Sequence, residues 1–388
     1  MKKSYTAIYF AISLVFLLIF SWSTTPLNEC YGWDSPFFQT IGLGILQGKV
    51  PYVDLFDHKG PLPFFMDALG YSFGLGRLGI FILQVLNLGL VFCILHRIAL
   101  RLAGSASRAF AAVCLCLPAL AVFITEGNQV EEWELPYVSL CLLFALDYLL
   151  SGRSSFPLWK SLAFGACFAL VFLTRPNDGV MWIGGLYFGL FLIWIVRRRY
   201  SLIVPNVLMF ILGAAVASAP FLGYFAAHDA LDDMFYGMII HNIKYAGDVM
   251  FSWGGIGMII IPSLIVVTTL LLTRREERLK DLAFMLVPML VFTVILIGKR
   301  DYYHYLIPLI PYMLLCYTLC LMHSQKVFLW VVCSLLIAFS YRECSFVVNT
   351  WLRSSVTREF YAQTDGLFKQ VPENERNTVW NYNLDTYK

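Results

Sequence analysis

The sequence predicts an all-α polytopic membrane protein with about eleven transmembrane helices. Three observations carry that prediction. Hydrophobic residues make up 59% of the 388 and charged residues only 14%, with a mean hydropathy of +0.70. A soluble domain has roughly 45–50% apolar and 25% charged residues. Apolar runs recur along the chain near the length of about 20 residues that a hydrocarbon core about 30 Å thick requires. Finally, basic and acidic residues alternate between successive connections, the pattern left when positive charge is held on the cytoplasmic side.

The runs lie near residues 6–22, 78–100, 108–125, 135–151, 159–175, 179–196, 202–226, 253–273, 282–298, 304–322 and 326–341. Lys2 and Lys3 mark the inside end of the first. They also resemble the start of a secretory signal, but no small-x-small cleavage site follows, so a retained first span is expected. Basic connections recur at Arg97, Arg101 and Arg108, at Arg153 and Lys160, at Arg197 to Arg199, and at Arg274, Arg275, Arg278 and Lys280. Between them fall Asp34, Asp54, Asp57 and Asp67, then Glu126, Glu131, Glu132 and Glu134, then Asp178, then Asp229, Asp232, Asp233 and Asp248. The acids therefore face outward and the N-terminus is cytoplasmic. Residues 1–341 read as one transmembrane domain and 342–388 as a short extracytoplasmic tail.

The outer loop 23–77 is too long for a turn and too aromatic for disorder. Residues 35–47 carry Phe37, Phe38, Ile41, Leu43, Ile45 and Leu46 against Gln39, Thr40 and Gln47, an amphipathic pattern suited to the interface plane, with Asp34 or Ser35 as N-cap. Lys49 to Asp54 is turn-like, and Pro61 can start a second short helix.

Composition also excludes some functions. The net charge is only +3, and the basic residues sit at span ends rather than in one stripe, so nucleic acid is not an expected partner. Most of the ten cysteines lie inside apolar runs without metal-ligand spacing, as small core residues do. Cys30 and Cys344 fall outside the spans on one side, where a disulfide could form. No internal repeat is evident, which disfavours an inverted-repeat transporter.

Ionisable residues at a membrane boundary need a reason, because burying them costs free energy unless they are paired or hydrated. The first loop concentrates Asp34, Asp54, Asp57, His58 and Lys59. A carboxylate there can take the proton of an attacking hydroxyl, and a cation can stabilise an anionic leaving group. That combination fits group transfer from a phosphate-linked donor. Glu131 and Glu132 lie in the next outward loop, where they could orient an acceptor or a metal or simply form a solvated acidic turn. Arg175, at an outer span end, reads equally as a phosphate ligand or as a partner of Asp178. Lys299, Arg300, Tyr302, Tyr303, His304 and Tyr305 form a second basic and aromatic cluster, either a phosphate and sugar contact or an aromatic belt with snorkelling cations. The acids and imidazoles of 228–248 could hold a divalent metal, but their spacing is not diagnostic. Asp147 reads as a snorkelling residue or a partner of Arg153.

The runs Tyr31-Gly-Trp-Asp34-Ser-Pro, Gly48-Lys-Val-Pro-Tyr52-Val-Asp54 and Asp57-His-Lys-Gly-Pro61-Leu resemble the first loop of the C-type glycosyltransferase superfamily. The match is to the branch of protein O-mannosyltransferases and the lipid A aminoarabinose transferase. The cluster of Lys299, Arg300, Tyr302, Tyr303, His304 and Tyr305 is similar to a basic and His-Tyr element before a late span in that superfamily. The family often shows Asp-Glu where this chain has Asp34-Ser35, and a contiguous acid-Lys pair where His58 intervenes.

The resemblance implies an inverting transferase in the cell membrane that moves one sugar from a polyprenyl-phosphate donor to a hydroxyl of an outward-facing glycan, lipid or protein. Asp34 is then the expected catalytic carboxylate, acting as general base, with Asp57 beside it. Lys59, Arg300 and Arg175 are expected on the donor phosphate. His58, His304, Tyr305, Glu131 and Glu132 are expected to orient substrates, and the second acid stays open among Asp57, Glu131 and Glu132. This chemistry requires no cofactor, and a divalent metal is an open addition. The rival expectation is a transporter or a flippase for a lipid-linked sugar. It predicts ionisable residues near mid-span, whereas here they gather at outer ends.

Overall fold

A computed structural model describes residues 3–27, 32–124, 126–247, 253–274, 276, 279–296 and 302–323, the side chains of 3–4, 245–247 and 253–258 excepted. The predicted span 326–341, the tail 342–388, Arg300 and the Cys30–Cys344 pair lie outside the described residues. Regular structure among the described residues is helical, apart from one isolated bridge between Pro51 and Leu55.

Helix α1 (Lys3–Phe20) is followed by the short α2 (Ser35–Leu46) and α3 (Pro61–Ser72), then by α4 (Arg77–Ala103), α5 (Ala106–Phe123), α6 (Val130–Ser151) and α7 (Leu158–Phe172). The single turn α8 (Pro176–Asp178) runs through a π-helical turn, Gly179–Gly184, into α9 (Gly185–Val196). Next come α10 (Ile203–Ala227), α11 (Leu231–Phe235), α12 (Asn242–Gly247), α13 (Trp253–Thr273) and α14 (Lys280–Leu296). A 3-10 segment, Tyr303–Leu309, leads into α15 (Ile310–Met322). Each predicted span from 6–22 to 304–322 overlaps one of these helices, and among the described residues six continuous helical stretches, some joining an α-helix to an adjacent π or 3-10 turn, are long and apolar enough to cross a bilayer.

Packing follows the small residues. A Cβ at Gly165 would strike the Phe210 carbonyl, and one at Gly213 the Leu162 carbonyl, so α7 and α10 approach at backbone distance as membrane helices do at paired small residues. The main core runs from Tyr9 and Phe92 through Trp182 and Trp194 to Tyr312, whose hydroxyl donates to the Trp182 carbonyl at 2.8 Å. A second, smaller core of Phe38, Ile41, Tyr52, Leu62, Phe64, Leu173, Phe225 and Met238 lies beneath the first outer loop. That second core makes the loop a folded platform.

Three local expectations change. Helix α6 begins at Val130 rather than near 135, because Gln129 and Glu132 form a capping box and the acids of the first turn suit the helix dipole. Glu131 and Glu132 thus stand in a helix and not in a loop. Asp34 is the N-cap residue of α2 but its side chain caps nothing. Asp147 pairs with Arg101 at 3.0 Å and Lys160 at 3.5 Å rather than with Arg153.

Candidate active site

The Lys59 strap is shaped by local chemistry. Asp57 accepts the Lys59 amide at 2.9 Å, a turn that a short carboxylate favours. Tyr52, in a left-handed conformation at φ 71°, donates its hydroxyl to the Lys59 carbonyl at 2.7 Å. Burial, and then the Asp57 charge, push that phenol well above its usual range, so it stays a donor. From the other side, Asn242 donates to the His58 carbonyl at 2.7 Å.

The strap is sewn to the end of α7. The Gly60 amide donates to the Thr174 carbonyl at 2.9 Å and the Leu62 amide to the Leu173 carbonyl at 3.0 Å. A Cβ at Gly60 would strike the Leu173 carbonyl, so glycine is what allows this approach. The two bonds place Lys59 and Arg175, 116 positions apart in sequence, on either side of one backbone bridge.

Both cations are mostly buried, with side chains 14% and 15% exposed. The Lys59 ammonium contacts His58 Nε2 at 3.1 Å and lies 4.0 Å from Asp57 and 5.8 Å from the Phe38 ring centre. Burial alone would lower its pKa, but Asp57, Tyr305, Asp34 and Glu131 outweigh that and hold it above its usual value. His58 is pushed down to about 4, first by burial and then by the neighbouring Lys59 charge, so its imidazole is neutral and can accept from the ammonium.

Arg175 donates from Nη1 to Glu131 at 3.0 Å, lies 3.5 Å from Asp178, and stacks with Cζ 3.5 Å from the Tyr305 ring centre. Burial disfavours its charge, yet Asp178, Tyr305, Glu131 and Glu134 raise its pKa overall. Among the described residues its hydrogen bonds leave only through Nη1. The other guanidinium donors are available for a bidentate anion. His304 and Tyr305 pack edge to face at 4.8 Å, and Tyr302 stacks on His304 at 5.4 Å. The charges of Glu131, Asp34, Arg175 and Lys59 all reach His304.

Asp34, Asp57, His58, Lys59, Glu131, Arg175, His304 and Tyr305 are therefore brought together. Glu132 is turned away: it accepts from Gln84 at 2.7 Å, inside the polar knot that joins α4 and α6. Of the imidazoles of 228–248, His228 lies against the Tyr224 carbonyl at 2.8 Å, while His241 packs on Phe56 and on His58 of the strap. Among the described residues no group of three or more His, Cys, Asp or Glu could hold a metal ion.

The sequence reading missed Glu126. Its carboxylate, 1% exposed, accepts the backbone amides of Trp33, Asp34 (2.7 Å) and Ser35 (3.0 Å) and the Gln129 side chain (3.0 Å). It occupies the place in which an N-cap side chain of α2 was expected. Gly32, at φ 91°, leaves room for it, since a Cβ there would strike the carboxylate. Asn128 adds bonds to Ser35 Oγ and to Asp67, both at 3.0 Å. Burial pushes Asp67 well above the usual carboxylate range, so it is held neutral beneath α2.

No protein-family model matches the chain. No curated protein is similar enough in sequence to align with it. Its fold is similar to that of ArnT from Cupriavidus metallidurans, solved in a crystal structure bound to undecaprenyl phosphate. The TM-score is 0.61 at 15% identity, over 94% of this chain and 73% of that one. At the level of fold, this agrees with the resemblance that the first loop carries.

Proposed function

We propose that this chain is an inverting membrane glycosyltransferase, moving one sugar from a polyprenyl-phosphate donor to a hydroxyl of an extracytoplasmic glycan, lipid or protein. One observation carries the reading. Two buried cations from distant parts of the sequence, Lys59 and Arg175, are sewn together by the Gly60–Thr174 bond, and the charge of Asp34 reaches Lys59. The fold shared with a protein crystallised with undecaprenyl phosphate supports it.

In this reading the acceptor oxygen attacks the anomeric carbon from the face opposite the phosphate, and the bond from that carbon to the phosphate oxygen breaks. The acceptor proton passes to Asp34. The departing lipid phosphate gains one negative charge, which Lys59 and the free edge of Arg175 meet, so their attraction is stronger in the transition state than in the ground state. His58 aims the ammonium, Asp57 fixes the strap, and Glu131 holds the guanidinium in the plane that Tyr305 sets. Arg300 keeps its expected place on the phosphate from the sequence alone. The lipid donor accounts for a site at the membrane boundary, and the steps invoke no cofactor.

The binding half is tested by titrating purified protein with undecaprenyl phosphate. Lys59→Met is expected to weaken binding at least 30-fold, by loss of a charge-assisted contact worth about 2–3 kcal/mol. Unchanged affinity would remove Lys59 from the phosphate site.

A further inference from the structure

The proposed base sits at the very start of a helix, where the Phe37 amide donates to its carbonyl at 3.0 Å. Asp34 precedes α2, and its side chain makes no capping bond. Its amide is held by Glu126, from the connection between α5 and α6, 92 positions away in sequence. One oxygen of that carboxylate accepts the amides of Asp34 and Ser35 and the Gln129 amide group, and the other accepts the amide of Trp33. The clamp is itself anchored, because the Ser23 amide donates to the Glu126 carbonyl and the Ser23 hydroxyl to the Gly127 carbonyl, both at 2.9 Å.

We infer that Glu126 is a positioning residue for the transfer reaction, setting where the Asp34 carboxylate stands by gripping three consecutive amides of its backbone. This rests on the reading of Asp34 as the base. Three consecutive amides bound to one rigid carboxylate fix both the place and the rotation of the segment. A misplacement of about 1 Å at a reacting group can cost about 100-fold in rate. Lys59 and Arg175 are held by other contacts, the Gly60–Thr174 bridge and the Glu131 pair, so donor binding does not pass through Glu126. Loss of the clamp should therefore lower kcat and leave the donor KM in place.

The test compares Glu126→Ala, Glu126→Gln and Gly32→Ala with wild type, using membranes and whichever polyprenyl-phosphate sugar of a panel the wild type turns over. Glu126→Ala is expected to lower kcat about 100-fold with the donor KM within about threefold. Glu126→Gln, which keeps one acceptor oxygen for Asp34 and Ser35, should recover to within about tenfold of wild type. Gly32→Ala, whose Cβ pushes on the carboxylate, should resemble Glu126→Ala. Amide hydrogen exchange at Trp33 to Ser35 reads the clamp without any reaction, and it should quicken at least tenfold in Glu126→Ala.

Wild-type kcat in Glu126→Ala, or slow exchange retained at those amides, would overturn the inference while an inactive Asp34→Asn kept the base. A donor KM that rises in step with the fall in kcat, without rescue by Gln, would overturn it in favour of a purely structural role. Full activity of Asp34→Asn would overturn the base and the inference together. If Glu126→Ala does not fold, the Gln and Gly32 variants carry the same comparison.

Discussion

Arg175 bears on stability and function at once, and its removal gives a worked prediction. Its guanidinium lies 3.0 Å from Glu131 and 3.5 Å from Asp178, two side chains with essentially no exposure. Arg175→Ala leaves these carboxyls buried without their cation, a class of change that costs about 3–5 kcal/mol. Losing the stack on Tyr305 adds about 1 kcal/mol or more. Against a net stability of about 5–15 kcal/mol, that is a large share. Arg175→Lys keeps the charge but loses the flat stack and the fork, so an intermediate loss of about 1–2 kcal/mol is expected. Removing Glu131 as well should return part of the loss, since one orphaned charge disappears with it. The assay is thermal unfolding in detergent of wild type, Arg175→Ala, Glu131→Gln and the double variant. Arg175→Ala within about 1 kcal/mol of wild type, or the same cost in both backgrounds, would refute the account of a coupled buried pair.

Two further predictions concern the strap. His58 has a pKa depressed from 6.5 to about 4 by burial and then by Lys59, with Asp57, His241 and Arg175 also acting on it. A depressed group contributes stability that is present above 6.5 and lost as pH falls through about 4, here about 3 kcal/mol. Melting followed from pH 7 to pH 4 should therefore show a steeper decline in wild type than in His58→Gln, and parallel curves would count against a buried neutral imidazole. Gly60→Ala should destabilise the protein by about 1–3 kcal/mol and weaken undecaprenyl phosphate binding, because its Cβ meets the Leu173 carbonyl and the strap must shift. Unaltered melting and binding would show that the strap is not held at that distance.

Much of this was legible in the sequence, and the parts that were not share a cause. Hydropathy located the spans because the bilayer imposes a length on each segment. The helices α2 and α3 were legible because Pro61 and the amphipathic run after Asp34 are local signals. Asp34, Lys59 and Arg175 stood out as ions at a boundary where ions are costly. What the sequence hid were pairings across long separations. Glu126 looked like one more outward acid, because nothing local says that its carboxylate will meet the amides of residues 33–35. Glu131 and Glu132 read as twins, yet adjacent positions on a helix point about 100° apart. One reaches Arg175 and the other Gln84. Likewise, Arg175 had Asp178 within view in sequence, but Glu131 at 3.0 Å became visible only with the fold.

The central claim, sugar transfer with Asp34 as base, is tested most directly by a transfer assay in membranes comparing wild type with Asp34→Asn across a panel of polyprenyl-phosphate sugars. The account predicts that wild type transfers from one donor to an acceptor hydroxyl with inversion. It predicts that Asp34→Asn, which cannot take up the proton, loses at least 100-fold in kcat while still binding undecaprenyl phosphate. Full transfer by Asp34→Asn would contradict the assignment of the base, and no transfer by wild type from a panel containing its native donor would contradict the reaction itself.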